Sequence, residues 1–277
     1  MKKMTFLLFL LPNLLLGQNL TKDLRDYIVK TQKNTAGLDI SFSVETLKGK
    51  ILFQHNADTF MPAASVIKIA ILVELMEQVK AGKLRLEDTY ILSTQDKIDD
   101  GIISSYLTDT ILTFRALAKQ MIISSDNAAT NIIIRKIGIP TVNQLLDNLG
   151  MKKTRLNRIM LDTEAVKQGR QNYVNTLEIN KLLRLIYKNK VATKTLCREM
   201  MDFLLACHDR ETIPKLIPPS VKIAHKTGEL TYVRGDAAIV FSSKPFILSV
   251  FIQGFKNLSE AEKVIAEIGE ICWKNLK

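Results

Sequence analysis

The chain has 277 residues, of which 47% are hydrophobic and 24% charged, and its formal net charge is +11. This length and apolar content suffice for one large core or two lobes. The basic residues are spread along the chain without an arginine-rich arm, which argues against a nucleic-acid partner. Three cysteines without CxxC spacing, together with three histidines, argue against a metal site and a disulfide framework. A single disulfide bridge stays open, and no cofactor is predicted.

Residues 1–17 have the layout of a secretory signal peptide. Two lysines follow the initiating methionine, and an apolar run over 4–16 ends at the small residue Gly17. The run is shorter than the roughly 20 apolar residues that span a bilayer, and Pro12 and Asn13 interrupt it. We therefore predict cleavage after Gly17, export to the periplasm or the medium, and no stable membrane anchor.

Apolar spacing in the rest of the chain predicts strands at both ends and helices between them. In chain order the predicted elements are a helix over 20–33, a strand over 38–44, a hairpin turn at 47–50, a strand over 51–55, helices from 65 to about 208, strands over 221–224, 237–241 and 246–253, and a helix over 259–277. Ser259, with Glu262 three residues later, is the predicted cap of the last helix.

This order of elements predicts an α+β fold. Both chain ends contribute to one antiparallel sheet, which is flanked by helices and joined to an all-helical lobe. We predict a single catalytic domain over 18–277, with a sheet lobe from 18–60 and 210–277 and a helical lobe from 61–209. A cleft is expected between the two lobes.

Lys68 is the anomaly in the apolar helix that begins near Ser65. A lysine is rarely buried without a partner, and this one follows the serine by three residues, which places both side chains on one helix face. Burial lowers the pKa of a lysine, and a neutral Lys68 accepts the hydroxyl proton of Ser65 and makes it a nucleophile. An S-x-x-K tetrapeptide is common, so further motifs are needed to support this interpretation.

Two further motifs stand at breaks in the predicted elements. Ser125-Asp126-Asn127 lies where one helix ends and another starts, a position that is also typical of an ordinary helix cap. Lys226-Thr227-Gly228 follows the predicted strand over 221–224 and, alone, is typical of a basic strand edge that ends in a turn. S-x-x-K, S-D-N and K-T-G in this order resemble the class A serine β-lactamases and the wider penicillin-recognising, DD-peptidase-like superfamily.

The resemblance implies a reaction through an acyl-enzyme on Ser65. It implies that Ser125 passes a proton to the leaving nitrogen with the help of Lys68 and Lys226. The backbone N–H groups of Ser65 and Glu229 are implied to form the oxyanion hole. The resemblance covers nearly the whole of the chain after residue 17.

The same resemblance implies how a substrate is held. Asn127 is expected to bind the substrate amide, and Lys226 and Thr227 its carboxylate. Gly228 and Glu229 complete the expected substrate-binding set. The implied partner is a small molecule, a β-lactam or a D-Ala-like acyl donor, and the implied oligomeric state is a monomer.

The chain departs from class A enzymes in one respect. Those enzymes carry a glutamate in an E-x-x-L-N pattern that activates the deacylating water, and this pattern is missing between S-D-N and K-T-G. Counted along the sequence from Ser65, Asp162 and Glu164 are the carboxylates nearest to the position where those enzymes carry this glutamate. Either one is a candidate for that role or a surface acid. The surrounding R-x-M-x-D-x-E-A run resembles β-lactamase-related serine hydrolases more than resistance enzymes.

Two nearby residues have open roles. Arg234 is a candidate for binding the substrate carboxylate, but an ion pair with Asp236 is the favoured interpretation. Tyr106, in the loop over 101–106 that is expected at the cleft entrance, packs either against substrate or into the core.

Three functions are compatible with these motifs. The leading hypothesis is a class A-type serine hydrolase that opens β-lactam rings. The second is an envelope peptidase or esterase acting on D-Ala ends, and the third is a sensor that becomes acylated without hydrolysis. The three differ in the lifetime of the adduct that penicillin forms on Ser65.

Overall fold

The computed structural model describes residues 11–35, 37–98 and 101–277, and it confirms an α+β fold. The helices are α1 (Leu11–Asn34), α2 (Lys68–Lys80), α3 (Phe114–Ile123), α4 (Asn127–Ile137), α5 (Ile139–Asn148), α6 (Thr163–Lys167), α7 (Thr176–Tyr187), α8 (Lys194–Leu205) and α9 (Leu258–Leu276). The strands are β1 (Asp39–Thr46), β2 (Ile51–His55), β3 (Met61–Pro62), β4 (Thr89–Ile91), β5 (Ile111–Thr113), β6 (Tyr173–Val174), β7 (Ile223–Leu230), β8 (Val233–Val240) and β9 (Phe246–Gln253).

The main sheet joins the two ends of the chain. Within the described ranges it has five strands in the order β2-β1-β9-β8-β7, and every neighbouring pair is antiparallel. β1 pairs with β9 over its whole length, from Asp39 opposite Gln253 to Thr46 opposite Phe246. The prediction that both ends build one sheet is therefore confirmed, and β7, which carries the K-T-G motif, lies at the sheet edge.

Some predicted boundaries were wrong. β2 and β9 have the predicted ends, but β7 continues to Leu230 and β8 starts at Val233, so the hairpin between them is longer than predicted. The prediction ended β7 at Ala224 because polar residues follow, whereas the structure buries them in the strand. The cap of α9 is Asn257, which accepts a hydrogen bond from the Glu260 amide, and not Ser259.

The sheet separates two hydrophobic cores. Alternate residues of β8 face opposite sides, so that Ala237 and Ile239 join the core around α2 while Ala238 and Val240 join the core beneath α1 and α9. α2 crosses the first of these cores, and all of its residues from Lys68 to Met76 are buried. The helix that follows Ser65 is thus held rigidly in the interior.

A buried polar contact fastens α7 to the main sheet. The side-chain amide of Asn180, on α7, donates to the carbonyl oxygen and the hydroxyl of Ser43 on β1, at 3.0 and 2.8 Å. Ser249, on β9, donates its hydroxyl to the Asn180 carbonyl oxygen at 2.6 Å. Because all three side chains are buried, these bonds have no competition from water.

The predicted division into lobes over 18–60 with 210–277 and 61–209 stays a prediction.

The first ten residues of the predicted signal peptide lie outside the described part of the chain. In the part that is described, no helix combines the length and the apolar character that crossing a bilayer requires. Cleavage after Gly17 stays a prediction.

Candidate active site

Ser65 lies at the entry to the central helix. It belongs to a 3₁₀ turn, Ala64–Ile67, that leads directly into α2, and it is partly exposed while its neighbours Val66 and Ile67 are buried. Ala64 before it has a φ of 45°, a left-handed conformation that is unfavourable for a residue with a side chain. The backbone is therefore bent so that one hydroxyl is presented at the surface of the core.

Lys68 is fully buried, as predicted, and joins the first two motifs. Its ammonium group donates to the Ser125 carbonyl oxygen at 2.6 Å, to the Ser125 hydroxyl at 3.2 Å and to the Asn127 side-chain oxygen at 2.8 Å. These acceptors compensate for the loss of water around the ammonium group. The lysine thus links the start of α2 with the loop between α3 and α4.

In the S-D-N motif, Ser125 and Asn127 are partly exposed and Asp126 is buried. Ser125 has a φ of 59°, which turns the chain sharply between α3 and α4. Asp126 is buried, caps α4 by accepting the Ala129 amide at 2.8 Å, and accepts the Ile103 amide at 2.9 Å. The middle residue therefore holds the loop over 101–106 against the motif, while Ser125 and Asn127 are partly exposed at the cavity.

The K-T-G motif lies within β7 and not after it. Lys226 is fully buried, and burial lowers the pKa of its ammonium group. That group donates to the Thr227 carbonyl oxygen at 2.8 Å. The edge strand thus places a cation and a hydroxyl opposite the S-D-N loop.

Apart from Lys68 and Glu164, the predicted site residues line two adjoining cavities. The first, of about 520 Å³, is lined by Ser65, Ser125, Asn127, Lys226, Thr227, Gly228 and Glu229, together with Cys207, Asp209 and Arg234. The second, of about 420 Å³, shares Ser65, Asn127 and Glu229 and extends to Met160, Leu161 and Asp162. Ser65 thus stands at the junction of a polar cavity and a mostly apolar one.

The two candidate acids have different positions. Asp162 lines the second cavity with Ser65, and its carboxylate caps α6 by accepting the Ala165 amide at 2.8 Å. Glu164 lies on α6 with 70% of its side chain exposed and forms an ion pair with Lys167 at 2.6 Å. The structure therefore brings Asp162 to the cavity wall and leaves Glu164 on the surface.

Met160 occupies a fixed position in the wall of the second cavity. Its amide donates to the Asn131 side-chain oxygen at 2.7 Å, and its carbonyl oxygen accepts from the Asn131 amide at 3.1 Å. Both residues are buried, and Met160 shares the cavity with Ser65. Sequence reasoning missed Asn131, for which the only signal was an asparagine among the apolar residues of α4.

The predicted ion pair between Arg234 and Asp236 was wrong. Arg234 pairs instead with Asp209 at 2.7 Å, with Glu262 at 3.0 Å and with Glu229 at 3.6 Å. Asp236 accepts from Thr212 and lies beside His225. The two nearest carboxylates, Asp209 and Glu262, are 25 and 28 residues away in sequence, so local spacing could not predict them.

Tyr106 packs against the core around α2. It follows a 3₁₀ turn, Ile103–Ser105, which the Asp126 carboxylate holds through the Ile103 amide. Of its two predicted roles, the structure shows core packing.

Comparison with known proteins identifies the family. Residues 19–276 match the sequence profile of the β-lactamase enzyme family. The chain belongs to that family. Among curated relatives, β-lactamase VEB-1 of Pseudomonas aeruginosa is 26% identical over 275 residues, which cover 92% of this chain and 89% of that protein. The predicted resemblance and the prediction of an enzyme are confirmed.

Solved structures share the fold of this β-lactamase family member. A β-lactamase from Sphaerobacter thermophilus superposes with a TM-score of 0.83 at 24% identity, covering 91% of this chain and 95% of that one. PBP-A superposes with a TM-score of 0.81 at 21% identity, covering 91% and 96%. A mutant of PBP-A was solved as an acyl-enzyme complex with penicillin G.

Gly228 explains how closely the K-T-G strand approaches the serine. A Cβ atom on Gly228 would lie 3.0 Å from both the Ser65 nitrogen and the Ala64 Cβ, and 3.1 Å from the Ala63 carbonyl oxygen. These contacts are with backbone and a short side chain, which cannot swing away. Glycine at this position therefore allows β7 to run directly beside Ser65.

We expect Gly228→Ala to slow acylation of Ser65 by penicillin G by about tenfold or more, because the added methyl group pushes β7 away from the serine. The rate is measured by intact-mass spectrometry of samples quenched at intervals. Thermal unfolding of the same variant serves as the control for a loss of fold. A folded variant that acylates at the parent rate would contradict this role for Gly228.

Proposed function

We propose that this member of the β-lactamase family is a serine hydrolase of the class A type, which opens β-lactam rings through an acyl-enzyme on Ser65. The observation that carries the proposal is the cavity that Ser65 shares with Ser125, Asn127 and Lys226, with Lys68 hydrogen-bonded behind it. A nucleophile, a buried lysine and a second hydroxyl are the groups that acyl transfer requires. The proposal includes export of the chain and removal of residues 1–17.

In the proposed reaction, Lys68 takes the proton of the Ser65 hydroxyl as the oxygen attacks the lactam carbonyl. The backbone N–H groups of Ser65 and Glu229 stabilise the resulting oxyanion. The close approach of β7 at Gly228 supports this pairing, since it brings the two backbones together. Ser125, which is hydrogen-bonded to Lys68, then delivers a proton to the leaving nitrogen.

Substrate binding is proposed to use other residues that line the first cavity. Asn127 holds the amide of the acyl side chain, and Lys226 with Thr227 holds the carboxylate. Arg234 also lines this cavity, but its guanidinium group already pairs with three carboxylates. Its contribution is to fix Asp209 and Glu229 in the cavity wall.

The deacylation step is expected to be slow. Met160, held by Asn131, presents an apolar side chain in the cavity that adjoins Ser65, and Glu164 lies on the surface. Asp162 is the acid on this wall, and its carboxylate is engaged as a helix cap. This arrangement favours, as a second candidate function, an envelope peptidase or esterase that acts on D-Ala-like ends and holds β-lactams as long-lived adducts.

The experiment that tests the proposal is intact-mass spectrometry of the purified chain during exposure to penicillin G, with hydrolysis of a chromogenic cephalosporin followed in parallel. We expect one covalent adduct, a stoichiometric burst and slow continued turnover, all absent in Ser65→Ala. A chain that forms no adduct, or a Ser65→Ala variant that hydrolyses normally, would refute the proposed function. A burst without any later turnover would favour the second candidate or the sensor hypothesis.

A matched pair of variants tests the two acids. We expect Asp162→Asn, which keeps the helix cap but removes the charge, to lower the slow turnover by about tenfold or more. Glu164→Gln is expected to stay within about twofold of the parent, because exposed substitutions remote from a cavity have small effects. The measurement is the steady-state rate after the burst, and equal rates in all three proteins would exclude both acids from deacylation.

A further inference from the structure

A second group of reactive side chains lies beside the Ser65 cavity. His225 and Asp236 are fully buried, on neighbouring strands of the sheet, and Nδ1 of His225 lies 3.2 Å from each carboxylate oxygen of Asp236. Thr212 donates its hydroxyl to the same carboxylate at 2.7 Å. The carboxylate therefore assigns Nδ1 as a donor and fixes the orientation of the ring.

The other ring nitrogen has no such partner. Nε2 of His225 is buried and, within the described residues, lacks a hydrogen bond. Burial lowers the pKa of His225, but the Asp236 carboxylate outweighs it and raises that pKa to about 10. Cys207 is the nucleophilic neighbour of this ring: burial raises the pKa of its thiol, but interaction with His225 and the charge of Lys226 outweigh burial and lower it.

The three cysteines are free and differ in access and in environment. Cys207 is buried, with 6% exposure, at the wall of the 520 Å³ cavity that Ser65 and Lys226 also line. Cys197 is 1% exposed and its thiol donates to the Val191 carbonyl oxygen, while Cys272 is fully buried among apolar side chains. Burial raises the pKa of both thiols. Thiolate character and access together set the reactivity of a cysteine. Of the three cysteines, Cys207 is the one that lines this cavity and has a supporting histidine.

We propose that Cys207, supported by His225 and Asp236, is a second nucleophile in this cleft and undergoes thiol–disulfide exchange with small disulfides. The Cys207 sulfur attacks one sulfur of the disulfide, so that a new S–S bond forms as the old one breaks. His225, whose raised pKa keeps the ring protonated near neutral pH, stabilises the Cys207 thiolate, and the thiol proton is released to water. The departing thiolate takes up a proton from water and leaves as a small thiol, so that one sulfur of the disulfide is reduced and the Cys207 sulfur is oxidised to the mixed disulfide. The attached group then fills the cavity and blocks acylation of Ser65, a consequence that rests on the proposed function.

The test uses 2,2′-dithiodipyridine, a small disulfide whose released thiopyridone is measured by absorbance, and the full chain. We expect one rapid equivalent of thiopyridone, with peptide mapping placing the label on Cys207, and reaction of the other two thiols at least about tenfold more slowly. The labelled chain is expected to lose acylation by penicillin G at least tenfold and to regain it after treatment with dithiothreitol. Cys207→Ser is expected to lack the rapid phase and to acylate normally, and Cys197→Ser to retain the rapid phase.

His225→Asn tests the support of the thiol by the histidine. This variant is expected to label Cys207 more slowly, and if it does not fold, the Cys207→Ser and Cys197→Ser comparison still decides the site. Equal labelling rates for the three thiols, or a label elsewhere, would overturn the proposal. A labelled chain that acylates at the parent rate would overturn the blocking step. An unlabelled chain that never acylates would instead refute the proposed function, while the labelling selectivity is read independently.

Discussion

Replacement of Lys68 by alanine is expected to slow acylation of Ser65 by about 10²- to 10⁴-fold, the range that a positioned general base contributes. The ammonium group of Lys68 contacts the Ser125 carbonyl oxygen, the Ser125 hydroxyl and the Asn127 side-chain oxygen inside the protein. Its removal takes away the proposed proton acceptor for Ser65 and leaves buried acceptors without this donor. The rate is measured by intact-mass spectrometry during exposure to penicillin G.

Lys68→Arg serves as the matched control because arginine keeps the positive charge but does not act as a base. If Lys68 is the base, the arginine variant is as slow as the alanine variant although its charge is retained. If charge alone matters, the arginine variant recovers most of the parent rate. Both variants need a parent-like thermal unfolding curve, since each changes a fully buried position. Acylation within about tenfold of the parent in both folded variants would exclude Lys68 as the base.

Met160→Glu is expected to shorten the lifetime of the acyl-enzyme by about tenfold or more, because it adds a carboxylate to the cavity wall beside Ser65. Asn131 holds the backbone of this position from both sides, so the new side chain starts from a fixed point. A carboxylate with access to a cavity water can act as the general base for hydrolysis. The measurement is the decay of the penicillin G adduct after removal of free penicillin.

Met160→Gln is the matched control, with nearly the same shape and polarity as glutamate but without a titratable group. Faster decay in the glutamate variant alone would show that base catalysis is the missing step. Equal acceleration in both variants would assign the effect to a wetter cavity, and unchanged lifetimes would show that Met160 does not face the acyl group. Some loss of stability is expected in both, since Met160 is 7% exposed.

The parts of the fold and site that could be predicted from sequence depend on short-range patterns. Short runs of apolar residues marked β2 and β9 to their ends, and the three-residue step between Ser65 and Lys68 predicted that both lie on one side of a helical turn. The buried lysine could be recognised because a charge within an apolar helix requires partners. The order of the three motifs was sufficient to indicate the family, which the profile match over 19–276 confirms.

Other features depended on contacts between distant segments. The extent of β7 followed from its pairing with β8, which buries the polar residues after Ala224 that had suggested a strand end. Arg234 forms ion pairs with Asp209 and Glu262, which are 25 and 28 residues away, and not with the nearby Asp236. Local periodicity carries no information about such pairs, because they come together only when segments that are remote in sequence pack against each other.

The sequence by itself determined the α+β order of elements, the family and the residues of the three motifs, because each is encoded in residue type and short spacing. Only the tertiary structure decided which acid reaches the cavity, since Asp162 and Glu164 are two residues apart but face different surroundings. It also decided that Asn131 holds the backbone of Met160 and that Cys207 lines the same cavity as Ser65. These relations depend on the packing of remote segments, which a linear pattern does not specify.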